Sequence, residues 1–462
     1  MQENNTTIHE INKIKIKFTE KRMTAYGGFS LLSSFFEKIK LKEQIEQIIP
    51  IKERSPNGTG IYIKVLSYAL IMFAGGERFS HVLYLGSRKV LSELFGVKRL
   101  IKAGTSITRM FNKMQKMSES EKVSEGIWKY LERIIEWKKI KEDWLNFDST
   151  VLERYGQQEG AKVGYNPQKK GRPSHNPLIG FLNQSKYVVS IWNRQGNVAS
   201  CNNIIAFFTM SYKRIKDKIK ILGVIADSGF YNRRLIEVIE ERMLTYIIAV
   251  RLYHPLQREI YVQKEWIRIA EGIEVCEFEF AHKDWGKLRR YVAVRQSLNR
   301  RPKAMGKQLR LFDEEQIKDY RYSVWITNST EEANKVWEQC KPRATDENII
   351  KELKEDFALG GFCLKKFYAT EVAMFVRVLI YNLFVLFRDV VMEGKEQTQR
   401  LKTLRYKFFV IPGQLGRSGR DKILRLSMHS KKLKGKMKTL YHRVTEYVGL
   451  NMDNCNAFGY CF

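Results

Sequence analysis

The spacing of apolar residues changes near residue 141. Before it, apolar residues recur every three or four positions, which predicts helices at 29–49, 61–74 and 123–137. After it, short alternating or continuous apolar runs predict strands at 144–148, 177–181, 187–192, 221–227 and 246–250, with helices between them at 202–218 and 233–242. Strands and helices that alternate in this way predict an α/β sheet.

The rest of the chain departs from this alternation. Residues 274–281, 289–294 and 320–327 alternate as antiparallel strands do, with no long helical pattern between them, which predicts a β-rich insertion. Helical spacing returns at 346–357 and 369–391. The predicted divisions are a helical N-terminal segment, an α/β core in two parts, the insertion between those parts and a C-terminal region, at 1–140, 141–254 with 331–395, 255–330 and 396–462.

Composition and charge narrow the function. The 462 residues are 44% hydrophobic and 12% aromatic, which is enough for a large core and excludes a disordered chain. The chain carries 81 Lys and Arg against 50 Asp and Glu, a formal net charge of +31. Such an excess on a folded protein indicates a polyanionic partner, namely DNA, RNA or an anionic membrane surface.

Membrane, secreted and disulfide-rich classes are disfavoured. The longest apolar runs, 65–74 and 373–387, fall short of about 18 uncharged residues, so we expect buried helices. The N-terminus is polar and lacks the apolar stretch of a secretion signal. The six cysteines include no C-x-x-C pair, which argues against structural zinc and favours a reducing compartment. We therefore expect a cytoplasmic protein that binds nucleic acid.

Two of the predicted strands end in an aspartate, at Asp148 and at Asp227. In an open α/β sheet the carboxyl ends of neighbouring strands meet at one crevice. Two carboxylates there repel each other unless a cation lies between them, and oxygen ligands suit Mg²⁺ or Mn²⁺. A pair of such ions can activate a nucleophile and stabilise the leaving oxygen of a phosphodiester. Alternatively, each aspartate only caps a helix or lies in a loop.

A third polar set lies at helical spacing. Arg343 precedes Glu347 by four residues and Lys354 follows Glu347 by seven, so one continuous helix would place all three on one face. That face would present a metal ligand flanked by two phosphate-binding cations. An ordinary solvated salt-bridge face has the same pattern.

Positive charge is concentrated in several segments. Lys169, Lys170 and Arg172 lie in a loop after Asp148, which we interpret as a phosphate clamp, with a merely solvated loop as the alternative. Residues 283–310 contain ten Lys or Arg and one acid. Residues 400–443 contain fourteen Lys or Arg and one acid, and Leu424, Met428 and Leu433 suggest that part of this region is an amphipathic helix. A helix-turn-helix at 90–117 would bind DNA, although a plain helical scaffold fits equally well.

Together these blocks resemble the DDE transposases of bacterial insertion sequences, specifically the IS1380 family within the IS4-like group. The resemblance extends over about residues 20–430 and rests on the blocks 147–156, 171–175, 226–231 and 343–357. IS4-like enzymes carry the signature Y-x2-R-x3-E-x6-K. Arg343, Glu347 and Lys354 match its last three positions, whereas Cys340 stands in place of the tyrosine.

The resemblance implies the fold and the site. It implies an α/β, RNase H-like catalytic core with a β-rich insertion, after an all-α N-terminal DNA-binding domain and before a helical basic tail. It also implies that Asp148, Asp227 and Glu347 bind two Mg²⁺ or Mn²⁺ ions. Glu352 and Glu355 do not fit the signature spacing, and Glu352 lies about 140° round a helix from Glu347.

The activity implied is cut-and-paste transposition. The enzyme would cleave the ends of its element and transfer the freed 3′-OH ends into target duplex DNA. It would act as a homodimer, because two element ends must be brought together, in the bacterial cytoplasm at the nucleoid and without a membrane. Two alternatives stay open, namely an RNase H-like nuclease or resolvase and a non-catalytic DNA-binding relic or regulator.

Overall fold

The computed structural model describes residues 8–49, 51, 58–86, 88–166, 169–304, 306–312, 314–340 and 348–447. The chain forms two compact units. The first contains Met1–Met114, Glu355–Phe362 and Leu383–Phe462, and the second contains Gln115–Lys354 and Cys363–Asn382. Each unit is therefore assembled from segments that are distant in the sequence.

The N-terminal part is mainly helical, as its apolar spacing predicts. Its helices are α1 (Phe29–Lys38), α2 (Leu41–Ile48), α3 (Ile61–Ala74), α4 (Arg88–Leu94), α5 (Thr105–Asn112) and α6 (Met117–Lys138). It also contains three short strands, β1 (His9–Ile11), β2 (Ile14–Ile16) and β3 (Met23–Thr24). The predicted helix 29–49 is divided because Lys40 adopts a left-handed conformation with a φ of 47°.

The middle part alternates strands with helices. Its strands are β4 (Glu142–Ser149), β5 (Leu152–Glu153), β6 (Lys162–Val163), β7 (Pro173–His175), β8 (Leu178–Leu182), β9 (Val188–Trp192), β10 (Lys220–Ala226), β11 (Thr245–Val250), β12 (Ile267–Ala270), β13 (Ile273–Phe280), β14 (Arg289–Ser297) and β15 (Tyr320–Thr327). Its helices are α7 (Ile204–Ile215), α8 (Arg233–Glu240), α9 (His254–Val262), α10 (Glu315–Lys318) and α11 (Ala333–Cys340). The strands predicted from the sequence are confirmed, whereas α9 lies in the predicted insertion and was not predicted.

The C-terminal part begins with a short helical stretch at 348–351 and a π-helical turn, Glu352–Asp356. Its helices are α12 (Phe367–Val391), α13 (Leu401–Leu404) and α14 (Lys431–Glu446). Two strands, β16 (Gly413–Ser418) and β17 (Asp421–Leu426), lie between the last two helices.

The second unit is built on a nine-stranded mixed sheet in the order β12-β13-β14-β15-β11-β10-β4-β8-β9. Strands β4, β8 and β9 pair antiparallel, whereas β10 is parallel to both β4 and β11. From β11 onward, β15, β14, β13 and β12 each pair antiparallel. The β-rich stretch therefore lengthens the main sheet.

Helices cover both faces of this sheet. On one face, Phe147 of β4 packs against Phe207 and Phe208 of α7, with ring centroids 5.7 and 6.0 Å apart. On the other face, Val336 and Trp337 of α11 join a buried apolar cluster with residues of β11, β13, β14 and β15. Burial on both faces explains why β10 and β11 read as nearly continuous apolar runs.

The first unit packs around α3, whose side chains are buried on almost every side. The Arg405 guanidinium donates hydrogen bonds to the carbonyls of Phe73 and Met72 at the end of this helix, at 2.8 and 3.0 Å. Gly28 lies so close to Phe408 that a Cβ there would be 1.8 Å from the carbonyl oxygen. The C-terminal segment is thus integral to this unit.

Two parts of the predicted fold class are wrong. The N-terminal segment is not all-α, because β1–β3 precede its helices. The basic tail is not purely helical: β16 and β17 form a hairpin that also pairs with β3. Gly419, with a φ of 58°, supplies the left-handed turn between the strands. An amphipathic helix is present further along the chain as α14, which buries Met437, Leu440 and Val444. Leu424 and Met428, which suggested the helix, lie in β17 and in the loop after it, so the helix was predicted too early in the tail.

The suggested helix-turn-helix does not form in the usual geometry. Residues 95–104 separate α4 from α5, whereas the motif joins its helices by a turn of about three or four residues. The helical-scaffold alternative describes this part of the chain better.

Among the described residues, α12 alone is long and apolar enough to cross a membrane by length and composition. Its most apolar 18-residue window has a mean hydropathy of 1.7, and 94% of that window is buried inside the protein. The helix is longer than the apolar run predicted from the sequence, and its burial is that of a core helix. Arg377, in its middle, is 0% exposed.

Candidate active site

Asp148 and Asp227 lie side by side at the ends of two parallel strands. Phe147 of β4 is in register with Ala226 of β10, and an aspartate follows each of them. Neighbouring strands lie about 4.8 Å apart, and residues in register on parallel strands point to the same face. Both aspartates are half-buried and line one cavity. The structure therefore brings together the two carboxylates that the sequence singled out.

Local hydrogen bonds orient both carboxylates. Oδ1 of Asp148 accepts the N–H of Ser149 at 2.6 Å, and Oδ1 of Asp227 accepts the N–H of Ser228. The second bond caps the short 3-10 turn Ser228–Phe230. Asp227 is thus a cap, as one alternative had it, and it also faces the cavity.

The cavity has a volume of about 790 Å³, and most of the residues that line it are polar or charged. Hydroxyl and amide side chains contribute to it, including Ser149, Asn176 and Ser200. The hydroxyls of Ser149 and Ser200 lie 2.8 Å apart and are hydrogen-bonded. Such a lining suits a polar or charged substrate more than an apolar ligand, whose pockets are mostly hydrophobic.

Lys354, for which the sequence predicts phosphate binding, also lines this cavity. It lies within the π-helical turn Glu352–Asp356, and such turns occur frequently at functional sites. Glu352, in the same turn, is only 3% exposed. Glu355 pairs with Arg400 at 2.9 Å in the first unit, so neither of these glutamates lines the cavity.

Arg343 and Glu347 lie outside the described residues, in the segment 341–347. Within the ranges that the structure describes, no group of three or more His, Cys, Asp or Glu side chains is arranged to hold a metal ion. Asp148 and Asp227 therefore need a further carboxylate from elsewhere to complete a three-ligand site.

Helix α11 covers the sheet face to which both aspartates point. Trp144 precedes Asp148 by four residues on β4 and so shares its face. Trp144 packs against the apolar cluster that contains Val336, Trp337 and Cys340 of α11. Cys340, the residue in the tyrosine position of the signature, is 3% exposed and is a core residue. The chain thus enters segment 341–347 from the aspartate side of the sheet.

The loop with Lys169, Lys170 and Arg172 lies beside the cavity. Glu153, which lines the cavity, accepts a hydrogen bond from Nζ of Lys169 at 2.9 Å, and this bond lowers the pKa of Glu153. The Arg172 guanidinium lies 4.7 Å from the ring centroid of Tyr155. Lys170 is exposed. The predicted clamp is therefore a surface cluster in which Lys169 is paired with a carboxylate.

Sequence reasoning missed two cations of the cavity, Arg251 and Lys307. Arg251 follows β11, so the strand-end argument that located both aspartates applies to it as well. Lys307 belongs to the basic segment 283–310, but only its bridge to Tyr322 brings it to the site.

Arg194 holds one wall of the cavity in place. Its guanidinium is buried and donates to the carbonyls of Asn176, Ala199 and Asn202 at 2.9, 3.0 and 2.9 Å. Burial lowers the pKa of Arg194 to about 10, so it remains charged at pH 7. Asn176 and Ala199 line the cavity, so this buried cation positions the wall on which they lie.

The chain matches one family of known proteins and is similar to a solved transposase. No curated protein matches it. It is similar to piggyBac transposase in a synaptic complex with hairpin DNA, at 12% sequence identity and a TM-score of 0.42, over 83% of this chain and 80% of that chain. The family model for the transposase DDE domain, group 1, matches residues 6–446. Because that match covers nearly the whole chain, the protein belongs to the group 1 family of DDE transposases.

Proposed function

We propose that Asp148, Asp227 and Glu347 together bind two Mg²⁺ or Mn²⁺ ions for cut-and-paste transposition of an insertion sequence. The register of β4 and β10 carries this proposal, because it puts two half-buried carboxylates side by side at one cavity. DDE transposases use divalent metal ions. The residues present fit such ions, because adjacent carboxylates repel each other unless a cation separates them.

The ions, when bound, supply activation of a water and stabilisation of the leaving oxygen of a phosphodiester. The protein itself then has to position the DNA and neutralise its charge. Two observations support a role in this: Lys354 lines the cavity, and the loop with Lys169, Lys170 and Arg172 lies beside it. We assign phosphate binding to these four residues and, by the signature spacing, to Arg343.

We assign Glu347 as the third metal ligand from the positions of the elements before and after it in the chain. Helix α11 approaches on the face of the aspartates, and Lys354 reaches their cavity seven residues after Glu347. The described chain is helical at 348–351 and passes into the π-helical turn that contains Lys354. Glu347 directly precedes this helical stretch in the sequence, and the signature spacing assigns it as the third carboxylate.

We also propose that β9-β8-β4-β10-β11 is an RNase H-like core. Its support is the strand pattern, in which three antiparallel strands are followed by two strands parallel to the first, with α7 and α8 as connections. The divisions 1–140, 141–254, 255–330, 331–395 and 396–462 stay predictions. So do the IS1380 assignment, the bacterial cytoplasmic location, the homodimer and the absence of a membrane role.

The test is a transposition reaction with purified protein. A labelled duplex bearing the sequence that flanks the gene is incubated with a target plasmid and Mn²⁺, and the products are sized. We expect cleavage at the element end and joining to the plasmid. Asp148→Ala, Asp227→Ala and Glu347→Ala should reduce cleavage below detection while leaving end binding nearly unchanged, because only the ion site is removed.

Two control variants make the result specific. Asp217→Ala removes an exposed carboxylate of the same unit and should leave cleavage unchanged. Glu352→Gln should retain substantial cleavage, and complete loss in a folded protein would show that Glu352 is the third ligand. Cleavage without joining would indicate a nuclease, and binding without cleavage a non-catalytic regulator. Wild-type turnover by any of the three alanine variants would refute the assignment.

A further inference from the structure

A third parallel strand places a cation at the edge that bears the carboxylates. Ala226 of β10 is in register with Ile248 of β11, so Asp227 stands opposite Ala249. Arg251 lies two residues further along and therefore on the same face as both aspartates. From the strand spacing and rise, its Cα is about 8 Å from that of Asp227. Arg251 is exposed and lines the same cavity.

Lys307 lies next to Arg251 for a topological reason. Its N–H and carbonyl exchange hydrogen bonds with Tyr322 of β15, at 2.9 and 2.8 Å. The other side of Tyr322 is occupied by Arg295 of β14. Lys307 must therefore lie on the side where β11 pairs with β15, a pairing that ends at Val250. Lys307 therefore takes the place beside β15 that follows the end of β11.

These two cations are uncompensated in the part of the chain that the structure describes. Within those ranges, neither side chain makes an ion pair or a hydrogen bond. Some other cations of the unit are paired, as Arg289 is with Glu240 at 3.0 Å and Lys169 is with Glu153 at 2.9 Å. Unpaired positive charge in a concave polar cavity attracts anions strongly.

We propose that Arg251 and Lys307 bind successive phosphates of the DNA strand that is cut, on one side of the scissile bond. The strand then leaves the carboxylate pair toward the ends of β11 and β15. Arginine suits this task because its planar guanidinium binds phosphate through two hydrogen bonds, and lysine adds a compact charge. The inference rests on the proposed function, because the carboxylates mark where the scissile phosphate lies.

Phosphate-by-phosphate interference tests the inference without requiring cleavage. The probe is a duplex of the gene-flanking sequence with a nick at the element end, and binding to the full-length protein is measured without divalent ions. Methylphosphonates, each of which removes one phosphate charge, are placed one at a time on both sides of the nick. Wild-type protein should lose about tenfold in affinity at neighbouring phosphates on one side only, the effect of losing one charged hydrogen bond.

The variants identify which residue meets which phosphate. Arg251→Ala should weaken binding of the unmodified probe about tenfold and become insensitive to one of those methylphosphonates. The affinity of Lys307→Ala should become insensitive to the methylphosphonate at the adjacent position. The matched controls Arg268→Ala and Lys264→Ala remove exposed cations of the same unit that do not line the cavity, and they should keep the wild-type pattern. Arg251→Gln provides a second substitution, and circular dichroism checks that each variant is folded.

Each outcome separates this inference from the proposed function. If Arg251→Ala and Lys307→Ala keep the full wild-type pattern, the two residues contribute only diffuse charge and the inference is wrong, even if Mn²⁺ supports cleavage. If the pattern changes as expected but wild-type protein does not cleave with Mn²⁺, the phosphate contacts stand and the proposed catalytic function is wrong.

Discussion

Asp227 combines an observed capping role with a proposed metal-binding role. Its Oδ1 accepts the N–H of Ser228 and begins the turn Ser228–Phe230. The same bond holds the side chain at the end of β10, beside Asp148. A ligand that is already ordered loses little conformational entropy when an ion binds. The capping role therefore supports the proposed metal-binding role.

His175 is buried and neutral beside the site. Its Nδ1 accepts a hydrogen bond from Nε of Arg154 at 2.9 Å, and its Nε2 donates to the carbonyl of Glu159 at 3.0 Å. Burial, together with the positive charge of Arg154, lowers the pKa of His175 to about 4. Both ring nitrogens are occupied, so this histidine has a structural role.

We predict that acidification destabilises the second unit through His175. Because its pKa in the folded protein lies below the unfolded value of about 6.5, unfolding takes up a proton at acidic pH. The stability contribution is complete above about pH 6.5 and is lost as the pH falls toward 4. The free energy of unfolding should be lower at pH 5 than at pH 7 by about 2 kcal/mol.

Urea unfolding followed by tryptophan fluorescence measures this effect, because all eight tryptophans lie in the second unit. His175→Asn should unfold more easily at pH 7 but lose most of the dependence between pH 7 and pH 5. The exposed His429, in the first unit, provides the control. Equal pH dependence in His175→Asn and His429→Asn would show that His175 is not the group responsible.

The aspartates could be located from sequence because each follows a buried strand that is visible as an apolar run. Arg251 follows β11 by the same rule and was within reach of that reasoning. Lys307 was not, because its place depends on a bridge to Tyr322 that no local pattern reveals. Residues set by local pattern were thus predictable, and those set by strand pairing were not.

At the scale of elements, the basic tail shows where periodicity misleads. Residues 413–426 form a hairpin, although the charge and apolar spacing of the tail favour a helix. The signal that was available is Ser418-Gly419, since such a dipeptide marks a turn. Strands of the core were easier to predict, because burial on both faces requires long apolar runs.

The wall of the cavity depends on a single buried guanidinium. The four carbonyls that Arg194 binds belong to the segment after β7 and the segment before α7. No carboxylate is among these hydrogen-bond partners, so the charge serves to gather main-chain oxygens. Removing it takes one donor from each of those oxygens, and an oxygen left with no other donor costs about 1–3 kcal/mol when buried.

We predict that Arg194→Met lowers cleavage at least about tenfold by loosening this wall, while the aspartates stay in place. Methionine keeps much of the side-chain volume but none of the donors. Hydrogen exchange should show faster exchange at Asn202, whose N–H donates to Ala199. Arg268→Met, at an exposed position, is the matched control. Unchanged exchange at Asn202 in Arg194→Met would contradict this role, whatever the effect on cleavage.

At the scale of the whole molecule, long-range pairing is the part of the fold that the sequence conceals. The first unit joins the two ends of the chain, as when β3 at Met23–Thr24 pairs with β16. The second unit extends its core sheet with β12–β15 instead of placing them apart. The β3–β16 pairing and the extension of the core sheet both depend on which strands pair with each other. The residue types along the chain do not specify these pairings.

The net charge of +31 fits a protein that acts on DNA. Lys354, Arg251 and Lys307 line the cavity of the two aspartates. Cations and carboxylates at one site suit a substrate that carries phosphates and a reaction that uses divalent ions. Under the proposed function, the reaction and the phosphate contacts would therefore share this cavity.

The most direct measurement is an anomalous difference map from crystals of the protein bound to a nicked element end with Mn²⁺. We expect two manganese peaks about 3.5–4 Å apart, both within coordination distance of Asp148 or Asp227, with Glu347 bound to one of them. Peaks at another site, or Glu347 directed away from the aspartates with the DNA in place, would contradict this assignment.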